Sequence, residues 1–285
     1  MTRHAGLALL GILGGSGLAR AADSAKLFAN RLDPAALDQA LAGFAEAAGR
    51  APNDPEPRLL LARAESFWPK LHADAAPGDA LPHLARGVQA AREALRLTSP
   101  GYAEAARQGF GLAQALQVVE PAGAAALYWL GENQHQLATQ RGLSALLLEV
   151  DDLRRIFARV IELAPETFHG AAYLHQAELS LALPAGYAAT LGTAADALAQ
   201  AQRLGPSNLW VDLVWAERWA VKAQDYGVFR RKLQLVIEGL GADPDLQPEN
   251  ELAKRRAQTL QKSAQLLFTR AAIQRGEVAT GGAQK

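Results

Sequence analysis

Residues 153–165 read LRRIFARVIELAP, and the reading of this stretch decides the fold. Its apolar residues Leu153, Phe157 and Val160 are spaced by four and then three, so they share one face of a helix with 3.6 residues per turn. Pro165 ends that helix, because it lacks an N–H and pushes Ala164 out of the helical region. The same frame returns on both sides. It fits Ala40, Phe44, Ala47 and Pro52, then Ala194, Leu198, Ala201 and Pro206, and in a weaker form Val88, Arg92, Leu95 and Pro100. Phe229, Leu233 and Val236 carry it once more, closed by Gly241. This frame is the second-helix half of a tetratricopeptide-like repeat.

Partner helices fill the intervals. The pattern predicts helices over 34–49, with Asp33 as N-cap and Pro34 in the first turn, and over 56–68, 81–97, 102–119 and 122–139. A short apolar segment at 143–148 then precedes the opening frame, which Asp151 is placed to cap. First helices are expected at 167–181 and 209–222, and second helices at 193–204 and 227–239. A terminal helix at 251–274 should turn Leu252, Leu260, Leu266 and Leu267 inward and Lys254, Arg255 and Lys262 to water. Residues 275–285 read as a disordered tail. The expected architecture is all-α: a single tetratricopeptide-like helical-repeat solenoid over 22–274, closed by a C-terminal capping helix and curved around an extended concave surface.

Composition narrows the function. Strong helix formers dominate, 49% of residues are hydrophobic, and a packed core is well within reach. Basic and acidic residues balance at 29 each, which argues against nucleic acid as a partner. The local run Lys254, Arg255 and Arg256 has no basic or aromatic extension and reads as a solvated helix face. With no cysteine there is no disulfide, thiolate metal site, cysteine nucleophile or lipid-bearing N-terminal cysteine. Residues 1–21 read as a secretory signal: Arg3 and His4, then an apolar run over 5–18, then the small-x-small site Ala19-Arg20-Ala21. No Arg-Arg pair directs it to the twin-arginine route. The expected location is the periplasm, with the mature chain in solution.

Catalytic constellations are missing from the sequence. His169 and His175, six apart, fall on different helix faces and read as core or surface histidines rather than as a metal-ligand pair. Glu149, Asp151 and Asp152 read as carboxylates at a helix start, stabilised by the helix dipole. The glycines of GFGLAQA at 109–115 lack a third glycine and a preceding strand, and read as close helix packing rather than a dinucleotide loop. No catalytic residue, metal ligand or cofactor is assigned, and an enzyme is not expected. Aromatic residues are more suggestive: Trp129 follows Tyr128, while Trp215 and Trp219 lie one turn apart with Arg218 beside them. An arginine among aromatic rings can clamp a carboxylate while the rings hold its apolar part, so Trp129, Trp215, Arg218 and Trp219 are the expected ligand-binding residues.

From about residue 124 to 270 the chain resembles the T component of tripartite ATP-independent periplasmic (TRAP) transporters, the TatT family. The resemblance rests on ALYWL at 126–130, IELAP at 161–165 with Gly170 after it, ALPAGY at 182–187 with Pro184 and Gly186, and WAERWA at 215–220 with Asp225 after it. Its most specific part is ENELAKRRAQTLQKSAQLLF at 249–268, with Asn250, Ala253, Arg256, Ala257 and Phe268. It implies a periplasmic helical-repeat protein, trimeric, that associates with the substrate-binding protein of a TRAP transporter and passes ligand to it or stores it; taken with the Trp/Arg group, the expected ligand is a small organic acid or amphiphile. Two departures are visible: there is no cysteine to acylate, and the ALPAGY loop carries one glycine where the family often has a pair. The other function class compatible with the repeats is a protein-interaction scaffold that binds no small molecule.

Overall fold

A computed structural model describes residues 17–184 and 190–281, and every regular element among them is helical. The expected signal segment lies mostly outside the described residues, as does Gly186 with the rest of 185–189. Helix α1 (Gly17–Ala29) leads into α2 (Pro34–Arg50), α3 (Glu56–Leu71) and α4 (Pro77–Thr98). Asp33 caps α2 as expected, its Oδ1 accepting from the N–H groups of Ala35 and Ala36 at 2.8 and 3.1 Å. Short helices α5 (Pro100–Arg107) and α6 (Leu112–Gln117) precede α7 (Ala124–Arg141), α8 (Leu143–Leu163), α9 (Ala171–Ala182) and α10 (Leu191–Leu204). Helix α11 (Leu209–Val214) passes through a π-helical turn (Trp215–Ala220) into α12 (Val221–Ala223), followed by α13 (Tyr226–Glu238). The chain ends in α14 (Gln247–Lys262), α15 (Ala264–Leu267) and α16 (Arg270–Gly281).

The long helices pack in chain order: α1 on α2, α2 on α3, α3 on α4, α4 on α7, α7 on α8, α8 on α9 and α9 on α10. The repeating frame supplies the contact face. Phe44, Leu153, Phe157, Val160, Ala194, Leu198 and Ala201 are all 0% exposed, and Phe229, Leu233 and Val236 are buried with them. Between α7 and α8 the approach is so close that a Cβ on Gly131 would sit 2.7 Å from the Ile156 side chain.

Several local expectations need correction. Helix α8 is continuous from Leu143, so Asp151 and Asp152 lie within it rather than at its start, on an outer face where they pair with Arg154 and Arg155 at 3.8 and 3.0 Å. Instead of one helix over 102–119 there are two, because Gly109 takes a φ of +77° and breaks the run. A Cβ on Gly109 or Gly111 would meet nothing within 4 Å, which removes the close-packing reading of GFGLAQA. The terminal helix is interrupted at Ser263 and again at the extended Phe268. Each interruption resets the helical phase, so Leu266 is 89% exposed instead of inward, and Phe268 is buried in its place. Leu252 and Leu260 are buried as expected, and α16 carries helix through Gly281, past the expected end at 274.

The first three helices meet the start of α14. Arg31, 2% exposed, donates to the carbonyl of Asp245 at 2.5 Å and to the carboxylate of Glu249 at 2.6 Å, while Arg63 pairs with Asp245 at 2.9 Å. Leu252 of α14 joins Phe28, Phe44 and Phe67 in one apolar cluster. The start of α14 is therefore packed against the first three helices.

Candidate functional site

Helix α7 has no polar face: it is buried on all sides from Ala126 to Asn133 and again at His135, Leu137 and Ala138. A helix buried all round needs internal partners for its polar side chains. Asn133 finds them in the carbonyls of Ala62 and Trp129, at 3.0 and 2.9 Å. Glu132, His135 and Gln136 instead line a cavity of about 240 Å³. Lys70 of α3, His175 and Glu178 of α9, Arg218 of the π turn, Trp210 of α11 and Glu249 of α14 complete its wall.

A chain of alternating charges crosses this wall. Lys70 Nζ donates to Glu132 Oε1 at 2.7 Å, and Gln136 donates to the same oxygen at 2.7 Å. Glu132 Oε2 lies 2.8 Å from His175 Nε2, and His175 Nδ1 lies 2.9 Å from Glu178 Oε2. Glu178 Oε1 then stands 3.7 Å from the Arg218 guanidinium. Burial alone would raise the pKa of Glu132, but Lys70 and His175 hold it well below the usual carboxylate range. Burial likewise opposes charge on His175, and the flanking carboxylates Glu132 and Glu178 overcome it, raising the imidazole to about 9. Against burial, Arg218 and His175 bring Glu178 down to about 2. His135 has no such partner, and its burial pushes it down to about 4. At neutral pH His175 is therefore a cation and His135 is neutral.

Beside the charged groups, part of the wall is aromatic. Phe168 packs against Tyr128 and Trp129 with ring centroids 4.8 and 4.5 Å apart. It is held there by a left-handed run, Phe168, His169 and Gly170, with φ of 47°, 61° and 71°. That conformation costs about 1–2 kcal/mol for each residue bearing a Cβ. This turn is why α9 starts at Ala171, four residues later than its expected start at 167.

Of the four expected ligand-binding residues, Trp129 and Arg218 line the cavity, and Trp215 and Trp219 do not. Trp215 and Trp219 face each other edge-on at 5.1 Å and pack into the cluster of Leu174, Leu181, Leu198 and Val214. The Trp219 indole N–H donates to the carbonyl of Leu191 at 2.8 Å. Their one-turn spacing marks the packing face of the helix, and Arg218 lies to its side. Lys70, Glu132, His135, His175 and Glu178 were not among the expected site residues, and His175 was read as a core or surface histidine. A signal for four of them was present: Glu132-x-x-His135 and His175-x-x-Glu178 are both i, i+3 pairs in helices.

No curated protein matches the chain. A family model, the TRAP transporter T-component, matches residues 72–268. That span runs from before α4 to the end of α15 and contains most of the cavity wall.

Proposed function

Because the chain belongs to the TRAP transporter T-component family, we propose that it works in the periplasm beside the substrate-binding protein of a TRAP transporter and that its cavity holds a small organic acid. The coarse role follows from the family: the chain is an accessory component of a TRAP transport system. No helix among the described residues is long and apolar enough to cross a membrane. The packing in chain order and the burial of the repeating frame favour the tetratricopeptide-like solenoid, with α14 as its closing helix.

The observation that carries the ligand reading is a loosely paired guanidinium and two aromatic rings on the wall of one cavity. Among the lining residues Arg63, Lys70, His175 and Arg218 stand against Glu132, Glu178, Asp245 and Glu249, and three of these cations are held in close pairs. An anionic ligand needs a cation that is not already tightly paired. Arg218 is placed to receive it, since its side chain is 40% exposed and its pair with Glu178 is loose at 3.7 Å. A planar guanidinium takes a carboxylate through two parallel hydrogen bonds. Trp129 and Phe168 offer apolar contact to the rest of the molecule. This role requires no bond-making chemistry.

Sedimentation velocity of the purified chain with its cognate substrate-binding protein tests the partner. Complex formation at tens of micromolar that responds to added organic acid is the expected result. A chain that never co-sediments, with or without acid, counts against the assignment, and a complex indifferent to every acid favours the scaffold. The same experiment reads the mass of the chain alone. We expect three copies, in keeping with the outward Leu148 and Leu240, which are 87% and 93% exposed.

A further inference from the structure

Helix α7 presents Glu132 and His135 three residues apart, and α9 presents His175 and Glu178 with the same spacing in reverse order. At this spacing each pair shares one helix face, and the two faces meet in the cavity wall. All four side chains are buried, at 1%, 5%, 6% and 6% exposure. One ligand-capable atom from each of Glu132, His135 and His175 lies within 4.8 Å of the others.

Two of the polar atoms gathered here have no hydrogen-bond partner among the described residues: Glu132 Oε2 and His135 Nδ1. The former is 2.8 Å from His175 Nε2 but not aligned to accept from it. Buried polar atoms are nearly always bonded. The surrounding contacts are those of a metal site's outer layer. Glu178 holds His175 Nδ1 at 2.9 Å, which turns Nε2 toward Glu132. Lys70 and Gln136 occupy Glu132 Oε1 and leave Oε2 to the site. A carboxylate behind a ligating histidine fixes its ring and raises its basicity.

We propose that Glu132, His135 and His175 bind a divalent first-row transition cation, with Zn²⁺ as the representative ion. Two imidazoles and one carboxylate suit such an ion, whereas Mg²⁺ and Ca²⁺ require oxygen-rich shells. Metal–ligand bonds of about 2.0–2.2 Å demand that the ligand atoms close to about 3.3 Å of one another, a contraction within reach of side-chain torsions. The ion takes the place of the proton on His175 Nε2, and that proton leaves to solvent. Three protein ligands leave a further coordination position, which opens on the cavity. The site stands on its own geometry and does not depend on the transport role.

Calorimetric titration of the chelator-treated full chain with Zn²⁺, in excess Mg²⁺, tests this directly. The expected result is one ion per chain at micromolar affinity or better, weakened at least 30-fold in His135→Ala and unchanged in His83→Ala, which removes a histidine from a separate cluster with Glu65 and Arg86. No saturable binding, or binding lost in His83→Ala and kept in His135→Ala, overturns the proposal. Should His135→Ala fail to fold by circular dichroism, Co²⁺ added to the unmodified chain decides. Intense visible absorption from low-symmetry nitrogen and oxygen ligation supports the site, and a spectrum of hexaaqua Co²⁺ rejects it.

Discussion

Phe157 is 0% exposed and stacks on His175 with ring centroids 4.8 Å apart, so a single residue joins the repeat core to the charged wall of the cavity. Phe157→Ala should lower stability by about 3–5 kcal/mol, read as an earlier thermal or urea midpoint. An unchanged midpoint would remove Phe157 from the core. The buried histidines make stability depend on pH in a definite way, provided a chelator is present. His175 is raised from 6.5 to about 9, so its contribution is complete below pH 6.5 and disappears as pH climbs to 9. His135 is lowered from 6.5 to about 4, so the unfolded chain takes up that proton first and stability falls as pH drops from 6.5 to 4. Glu178, lowered from 4.5 to about 2, adds a further loss below pH 4.5. The midpoint temperature should therefore peak near pH 6.5, and His135→Asn should flatten the slope between 6.5 and 4. A midpoint that keeps rising to pH 9 would show that His175 is not held between carboxylates.

The helices were legible in the sequence wherever periodicity and a stop signal coincided, as at Asp33-Pro34 and at Leu153, Phe157, Val160 and Pro165. What escaped was local geometry set by tertiary contacts. The left-handed run at Phe168 and His169 breaks local preference in order to place one ring, and nothing in the residue types announces it. Likewise Trp215 and Trp219 have the spacing of a stripe, and spacing alone does not say whether a stripe faces a hollow or a neighbouring helix. The charge chain was hidden because its members come from α3, α7, α9 and the π turn, and only the packing brings them together. Two substitutions test this scale. Gly170→Ala forces a Cβ into a φ of 71° and to 2.7 Å from Leu204, so it should cost about 1–3 kcal/mol and weaken the docking of α9. At the C-terminus, Phe268→Ala should cost about 3–5 kcal/mol, while Leu266→Gln should stay within about 0.5 kcal/mol because that side chain faces water. Equal effects at the two positions would contradict the interrupted terminal helix.

At the scale of the molecule, the start of α14 reaches the first three helices, and Arg31 locks that contact from the inside. Arg31→Ala leaves Glu249 without its cation and should cost about 3–5 kcal/mol, with the 245–252 segment becoming the first site of limited proteolysis. Leu246 and Glu249 bring that contact to the cavity wall, and the proposed function places an acid there beside Arg218. Isothermal titration of the full chain with succinate, hexanoate and benzoate, repeated on Arg218→Ala and Trp219→Leu, tests this most directly. At least one acid should bind at one per chain, about tenfold more weakly in Arg218→Ala, a loss of about 1.4 kcal/mol, and with unchanged affinity in Trp219→Leu. Affinity kept in Arg218→Ala and lost in Trp219→Leu would move the ligand out of this cavity and contradict the account.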